Sequence, residues 1–163
     1  MRKVLIGAAV SMGLLAAPAQ ADNIVEVAQG AGTFNTLLAA AEAAGLAGAL
    51  AEGDNLTVFA PTDDAFAALP EGTVESLLQP ENKDQLAAIL SYHVLPRELA
   101  SNQLPGRQIH IRTIKSGGDR LLAIEKDAHT GAVVVDGANV VSADIRADNG
   151  IIHVIDKVML PSS

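Results

Sequence analysis

The chain has no cysteine and no tryptophan among its 163 residues, and only one tyrosine and three phenylalanines. Without cysteine there is no disulfide, no thiol nucleophile, no thiolate metal ligand and no lipidated cysteine anchor. With four rings in all (Phe34, Phe59, Phe66, Tyr92), the flat surfaces that stack on bases or sugars are scarce. Positive charge is also in short supply: 11 Lys and Arg face 19 Asp and Glu, a formal charge of −8. That balance opposes polyanions, so neither nucleic acid nor anionic lipid is expected as a partner. Hydrophobic residues still make up 49% of the chain, so the core must be built from Leu, Ile, Val and Ala.

One apolar run stands out, from Val4 to Ala17, preceded by Arg2 and Lys3 and followed by Ala19-Gln20-Ala21. This is the layout of a bacterial-looking signal peptide over residues 1–21, with cleavage expected before Asp22 and export to the periplasm or beyond the cell. The run is shorter than the ~20 residues of a membrane-spanning helix and is not repeated, so no membrane anchor is expected. Residues 22–163 are then one domain, large enough to bury a core without staples, and a monomer is expected.

Along that domain the hydrophobic period changes once. Phe34, Leu37, Leu38, Ala41 and Ala44 recur at helical spacing, with Thr33 as the expected N-cap and Gly45 as a break before Leu46–Leu50. Asn55 to Phe59 alternates like a strand. Pro61-Thr62-Asp63-Asp64 stops it and opens a short helix, Thr62 capping and both carboxylates facing the helix dipole, with Phe66 and Leu69 as its anchors. Leu86, Ile89, Leu90 and His93 share one face of a later helix closed by Pro96. Beyond it the pattern is strand-like: Ile109–Arg112, Leu122–Ile124 after Ser116-Gly117-Gly118, then Ala132–Val135 and Asn139–Val141 flanking the hairpin signal Asp136-Gly137. Asp148-Asn149-Gly150 supplies a further turn before Ile151–Ile155. Helices first and antiparallel strands afterwards define an α+β domain.

Candidate chemistry is thin. His93 lies on the apolar face of its helix and reads as a hydrogen-bonded packing residue. His153 shares a strand face with Ile151 and Ile155, opposite Ile152 and Val154, and reads as a half-buried structural histidine. His110 and His129 read as solvent-facing. Asp136, Asp144, Asp148 and Asp156 lack the loop spacing of a calcium-binding hand, and turns recruit Asp for local hydrogen bonds. There is no Gly-x-Ser-x-Gly elbow, and Gly30-Ala31-Gly32 has neither a preceding strand nor a lysine to make a phosphate loop. No enzyme activity, metal or cofactor is expected.

Two segments carry a family resemblance: Leu56-Thr57-Val58-Phe59-Ala60-Pro61-Thr62-Asp63-Asp64-Ala65-Phe66, and Asn149-Gly150-Ile151-Ile152-His153-Val154-Ile155-Asp156-Lys157-Val158-Met159-Leu160-Pro161. With Tyr92-His93 between them, they resemble the signatures of the fasciclin domain. The resemblance runs from Asn23 to Pro161. It implies a compressed, wedge-like antiparallel β-sandwich with a group of helices from the N-terminal half at one side. It also implies a structural role for Thr57, Phe59, Pro61, Thr62, Phe66, His93, Asn149, Gly150 and His153. In animal members the tyrosine-histidine pair is tied to fold integrity and receptor binding, and an Asp-Ile pair before the second signature serves integrin-dependent adhesion. Asp144 and Ile145 match that pair, while Ser142, Ala143 and Arg146 depart from its usual flanks. Asp144, Ile145 and Tyr92 are therefore the interaction candidates. The expected role is adhesion or surface association with a protein or surface polymer. The alternative is carriage of an apolar small molecule such as a carotenoid, which some related domains resemble carriers of.

Overall fold

The computed structural model describes residues 22–115, 118 and 120–160. The signal-peptide reading falls on residues 1–21, outside the described residues. Among the described residues six α-helices precede the second strand: α1 (Ile24–Ala31), α2 (Asn35–Ala44), α3 (Ala47–Glu52), α4 (Asp63–Ala67), α5 (Thr73–Leu77) and α6 (Lys83–Tyr92). Seven strands accompany and follow them: β1 (Leu56–Pro61), β2 (Val94–Leu95), β3 (Ile109–Arg112), β4 (Leu121–Lys126), β5 (Val133–Val135), β6 (Ala138–Ala147) and β7 (Gly150–Ile155). The strands form one sheet in the order β2-β1-β7-β6-β5-β4-β3, curved nearly into a barrel, and the expected α+β class holds.

Most neighbours in the sheet are antiparallel, but β1 and β7 run parallel, with Leu56 beside Gly150 and Pro61 beside Ile155. A parallel pair needs a long crossover, here everything from α4 to β6, so no local turn signal could announce it. It places β7 between β1 and β6 with all six residues buried. Alternation along β7 then splits its side chains between two cores. Ile152 and Val154 join Val58 and Ala60 beneath the helices. Ile155 joins Phe59, Leu95, Leu122, Ile124 and Val135 inside the curl of the sheet.

Local chemistry explains several element ends. Thr62 caps α4 by accepting from the Ala65 amide at 3.2 Å, as expected. Gly45 ends α2 at φ 75°, a backbone state that glycine enters without steric cost. Asp136 (φ 49°) and Gly137 (φ 83°) form the two-residue turn between β5 and β6, both left-handed as such hairpins require. One expected cap is replaced. Thr33 does not cap α2; the Asp63 carboxylate, reaching over from α4, accepts from the Thr36 amide at 2.8 Å and from Asn35 Nδ2 at 3.2 Å. Burial alone would raise the Asp63 pKa, but the donors at Thr36 and Asn35 outweigh it and hold the carboxyl below its ordinary value. A distant carboxylate does the work that a local hydroxyl was expected to do.

Candidate functional site

The two signature segments meet over one strap of chain that follows β2. Thr57, fully buried in β1, donates through Oγ1 to the Arg97 carbonyl at 2.7 Å and accepts from the Leu99 amide at 2.8 Å. His153, from β7, takes the other side of the same residue: its Nε2 lies 2.7 Å from the Leu99 carbonyl. Its Nδ1 accepts from the Asp144 amide at 3.2 Å, so the ring is neutral with the proton on Nε2. Burial lowers the His153 pKa, against the opposing pull of Leu99 and Asp144. The ring also stacks on Phe59, with centroids 5.5 Å apart. His153 is 3% exposed, more enclosed than the half-buried position expected.

Asp144 continues this chain of contacts. Its carboxylate accepts from the Ser101 amide at 2.7 Å and from the Ser101 hydroxyl, and Lys126 Nζ donates to the Ser101 carbonyl at 2.9 Å. Burial pushes the Asp144 pKa up, but the two Ser101 donors outweigh it and leave it below the ordinary carboxylate value. The residue sits at φ 57° within an irregular stretch of β6, where the register with β7 shifts between Val140 and Ser142 and again between Ser142 and Ile145. Such bulges re-aim side chains out of the ladder. Val141 is 61% exposed, Ser142, Ala143 and Asp144 are exposed, and Ile145 is half-buried against the helical core.

His93 closes a second junction. Its Nδ1 faces the Ile89 carbonyl at 2.8 Å and its Nε2 accepts from the Met159 amide at 3.0 Å, which fixes a neutral ring protonated on Nδ1. Burial pushes its pKa down to about 4, with the Ile89 carbonyl acting in the opposite sense. Tyr92 does not reach the patch around Asp144. It is 2% exposed within the barrel core, with its hydroxyl 3.2 Å from both the Leu121 carbonyl and the Asp136 carboxylate. Its ring is therefore a packing element rather than a surface anchor. His110 and His129 are exposed.

Asn149 and Gly150 form a third junction, whose logic is not that of a turn alone. Asn149 Nδ2 reaches the carbonyls of Leu50, Ala51 and Gly53 at 2.7, 3.2 and 2.8 Å, and its Oδ1 accepts from the Ile24 amide at 2.9 Å. One side chain thus ties the end of α3 to the start of α1. Gly150 is required by proximity: a Cβ there would stand 2.0 Å from the Leu56 carbonyl oxygen.

Among the described residues, no three of His, Cys, Asp and Glu are grouped to hold a metal ion. A cavity of about 250 Å³ lies between α1, α2, α3 and the β1–β7 face of the sheet. No motif in the sequence marks it; its trace there is aliphatic composition, with many alanines and few rings to fill the space between helices and sheet.

A family model described as the fasciclin domain matches residues 32–161. The chain is 52% identical over 146 residues to Protein sll1483 of Synechocystis sp., covering 90% of this chain and 77% of that one. It is 36% identical over 138 residues to transforming growth factor-beta-induced protein ig-h3 of Sus scrofa, covering 85% of this chain but 19% of that protein. A solved domain pair from the insect cell adhesion molecule Fasciclin I aligns with a TM-score of 0.44 and 19% identity, over 67% of this chain and 38% of that chain. The chain belongs to the fasciclin-domain family. Homologues in that family are generally linked to cell adhesion or surface association. No helix among the described residues is long and apolar enough to cross a membrane.

Proposed function

We propose that this protein is an exported fasciclin domain that acts in adhesion or cell-surface association, through contacts with a protein or surface polymer and without turnover. The observation that carries this reading is the doubly bulged stretch of β6. It takes Val141, Ala143 and Asp144 out of the ladder on either side of Ser142, which stays paired with Val154, and braces the segment from behind through Asp144, Ser101 and His153. An exposed apolar side chain on a braced, irregular segment gives a partner a fixed surface to bury within a larger contact area. The buried histidines, the residues best suited to acid–base chemistry, have both ring nitrogens committed to the protein itself.

The test is binding of the purified protein to cell-envelope preparations of its native host. The wild type is expected to bind saturably, and Val141→Glu to weaken binding at least tenfold with an unchanged melting temperature. Absence of binding, or indifference to Val141→Glu, overturns the reading.

The cavity beneath the helices supports a second reading, carriage of an apolar small molecule. Extraction of protein purified from the native host, with visible absorption to detect a polyene, tests it.

A further inference from the structure

The helix–sheet cavity has three properties that together define a guest. Its wall is aliphatic, with Leu38, Ala41, Val58 and Ile152 representative, and it includes no lysine or arginine. Of the polar groups on the wall, His93 has both ring nitrogens engaged by Ile89 and Met159, and Glu42 is exposed. A buried guest therefore meets no free donor and no cation, water lacks the two to four polar partners it needs, and an anionic headgroup finds only Glu42.

Size is the second property. A dry cavity of ~150 Å³ lined by Leu, Ile and Phe accommodates benzene. The 250 Å³ available here suits a guest somewhat larger, of one ring with substituents or two fused rings, and falls short of a long polyene. The third is access. Helix α3, which covers the cavity with Ala47, Ala49 and Leu50, has no buried residue of its own. It hangs between Gly45 at φ 75° and the hydrogen bonds from Asn149 to Leu50, Ala51 and Gly53.

We propose that this cavity is a binding site for a compact, neutral, hydrocarbon-like molecule such as a small terpenoid or bicyclic aromatic, admitted by displacement of α3 about Gly45. The proposal rests on the carrier reading and narrows it, since it excludes both a fatty acid and a fully enclosed forty-carbon pigment.

Methyl NMR of delipidated protein from the native host, titrated separately with naphthalene, decanoate and a carotene, tests it. Naphthalene is expected to shift the Leu38, Val58 and Ile152 methyls saturably, and decanoate to leave them in place. Ala41→Leu and Ala47→Phe, which fill the space from two sides, are each expected to weaken naphthalene binding at least tenfold; if one variant does not fold, the other decides. Naphthalene binding that survives in a folded filled variant places the guest elsewhere and overturns the site. Decanoate binding as tight as naphthalene overturns the neutral class. Shifts with the carotene but not with naphthalene overturn the proposed size and leave the carrier reading standing, whereas silence with all three guests sinks both.

Discussion

The Met159 amide donates to His93 Nε2 at 3.0 Å, and it can do so only while that nitrogen carries no proton. Burial keeps the His93 pKa at about 4, against an ordinary 6.5. Between those values the unfolded chain takes up a proton here and the native chain does not, so stability is fully present above pH 6.5 and is lost as pH falls toward 4. The full effect is about 3 kcal/mol. His153, also lowered by burial, acts in the same direction. The urea midpoint is expected to fall steadily from pH 7 to pH 5, and His93→Gln to show a shallower slope. Equal slopes in the two proteins would refute the assignment.

Removing the ring altogether has a separate cost at neutral pH. His93→Ala leaves the buried Met159 amide without its acceptor and enlarges the cavity that His93 borders. About 3 kcal/mol of stability should go, from the lost hydrogen bond and the added void. Thermal melts should show a drop of roughly 5–15 °C. An unchanged melt is incompatible with the structural role.

Asn149 shares its two N–H hydrogens among three carbonyls and accepts one further bond at Oδ1. Asn149→Ala is expected to cost about 2–4 kcal/mol, at about 1 kcal/mol per bond. Asn149→Asp keeps the size but turns a donor into a carboxylate facing three carbonyls. At pH 7 it should be less stable than the alanine variant, and the gap should narrow as pH falls toward 4, because the three facing carbonyls favour the protonated acid from above the ordinary carboxylate range. Urea titrations of both variants at the two pH values check the order.

Two glycines separate proximity from backbone freedom. Gly137 has φ 83° with nothing within 4 Å of a built Cβ, so Gly137→Ala should cost only about 1 kcal/mol, the strain of the left-handed state. At Gly150 the new methyl meets the Leu56 backbone and must push β1 from β7, so Gly150→Ala should cost at least about 3 kcal/mol. Comparable melting temperatures for the two variants would show that β1 moves aside without penalty.

Much of this fold is legible because period and punctuation agree: α2, α6, the Thr62 cap, the Asp136-Gly137 turn and the burial of His93 all follow from local pattern, whereas alternation alone leaves His153 half-buried and its parallel neighbour Phe59 helps to enclose it. What escaped has particular causes. α1 is announced by the reciprocal Asn23–Glu26 capping box, a signal present in the sequence but short and easily passed over. β2 is two residues long and exists only because β1 pairs with it. The cap from Asp63 to α2 joins residues far apart in sequence, as does the parallel register of β1 and β7. Tyr92 follows Ile89 by three residues on the same helix face, and its burial was available from spacing alone. The cavity is different in kind: volume left over by packing has no sequence motif, only the weak hint of many alanines and few rings.

Strand β7, which parts β1 from β6, is the last of the seven strands in chain order. Until residues 150–155 are in place, β1 and β6 each present an unpaired edge and neither core has its shared wall. Closure of the domain thus waits on its last strand, and any product truncated before Gly150 is a candidate for aggregation rather than for partial function.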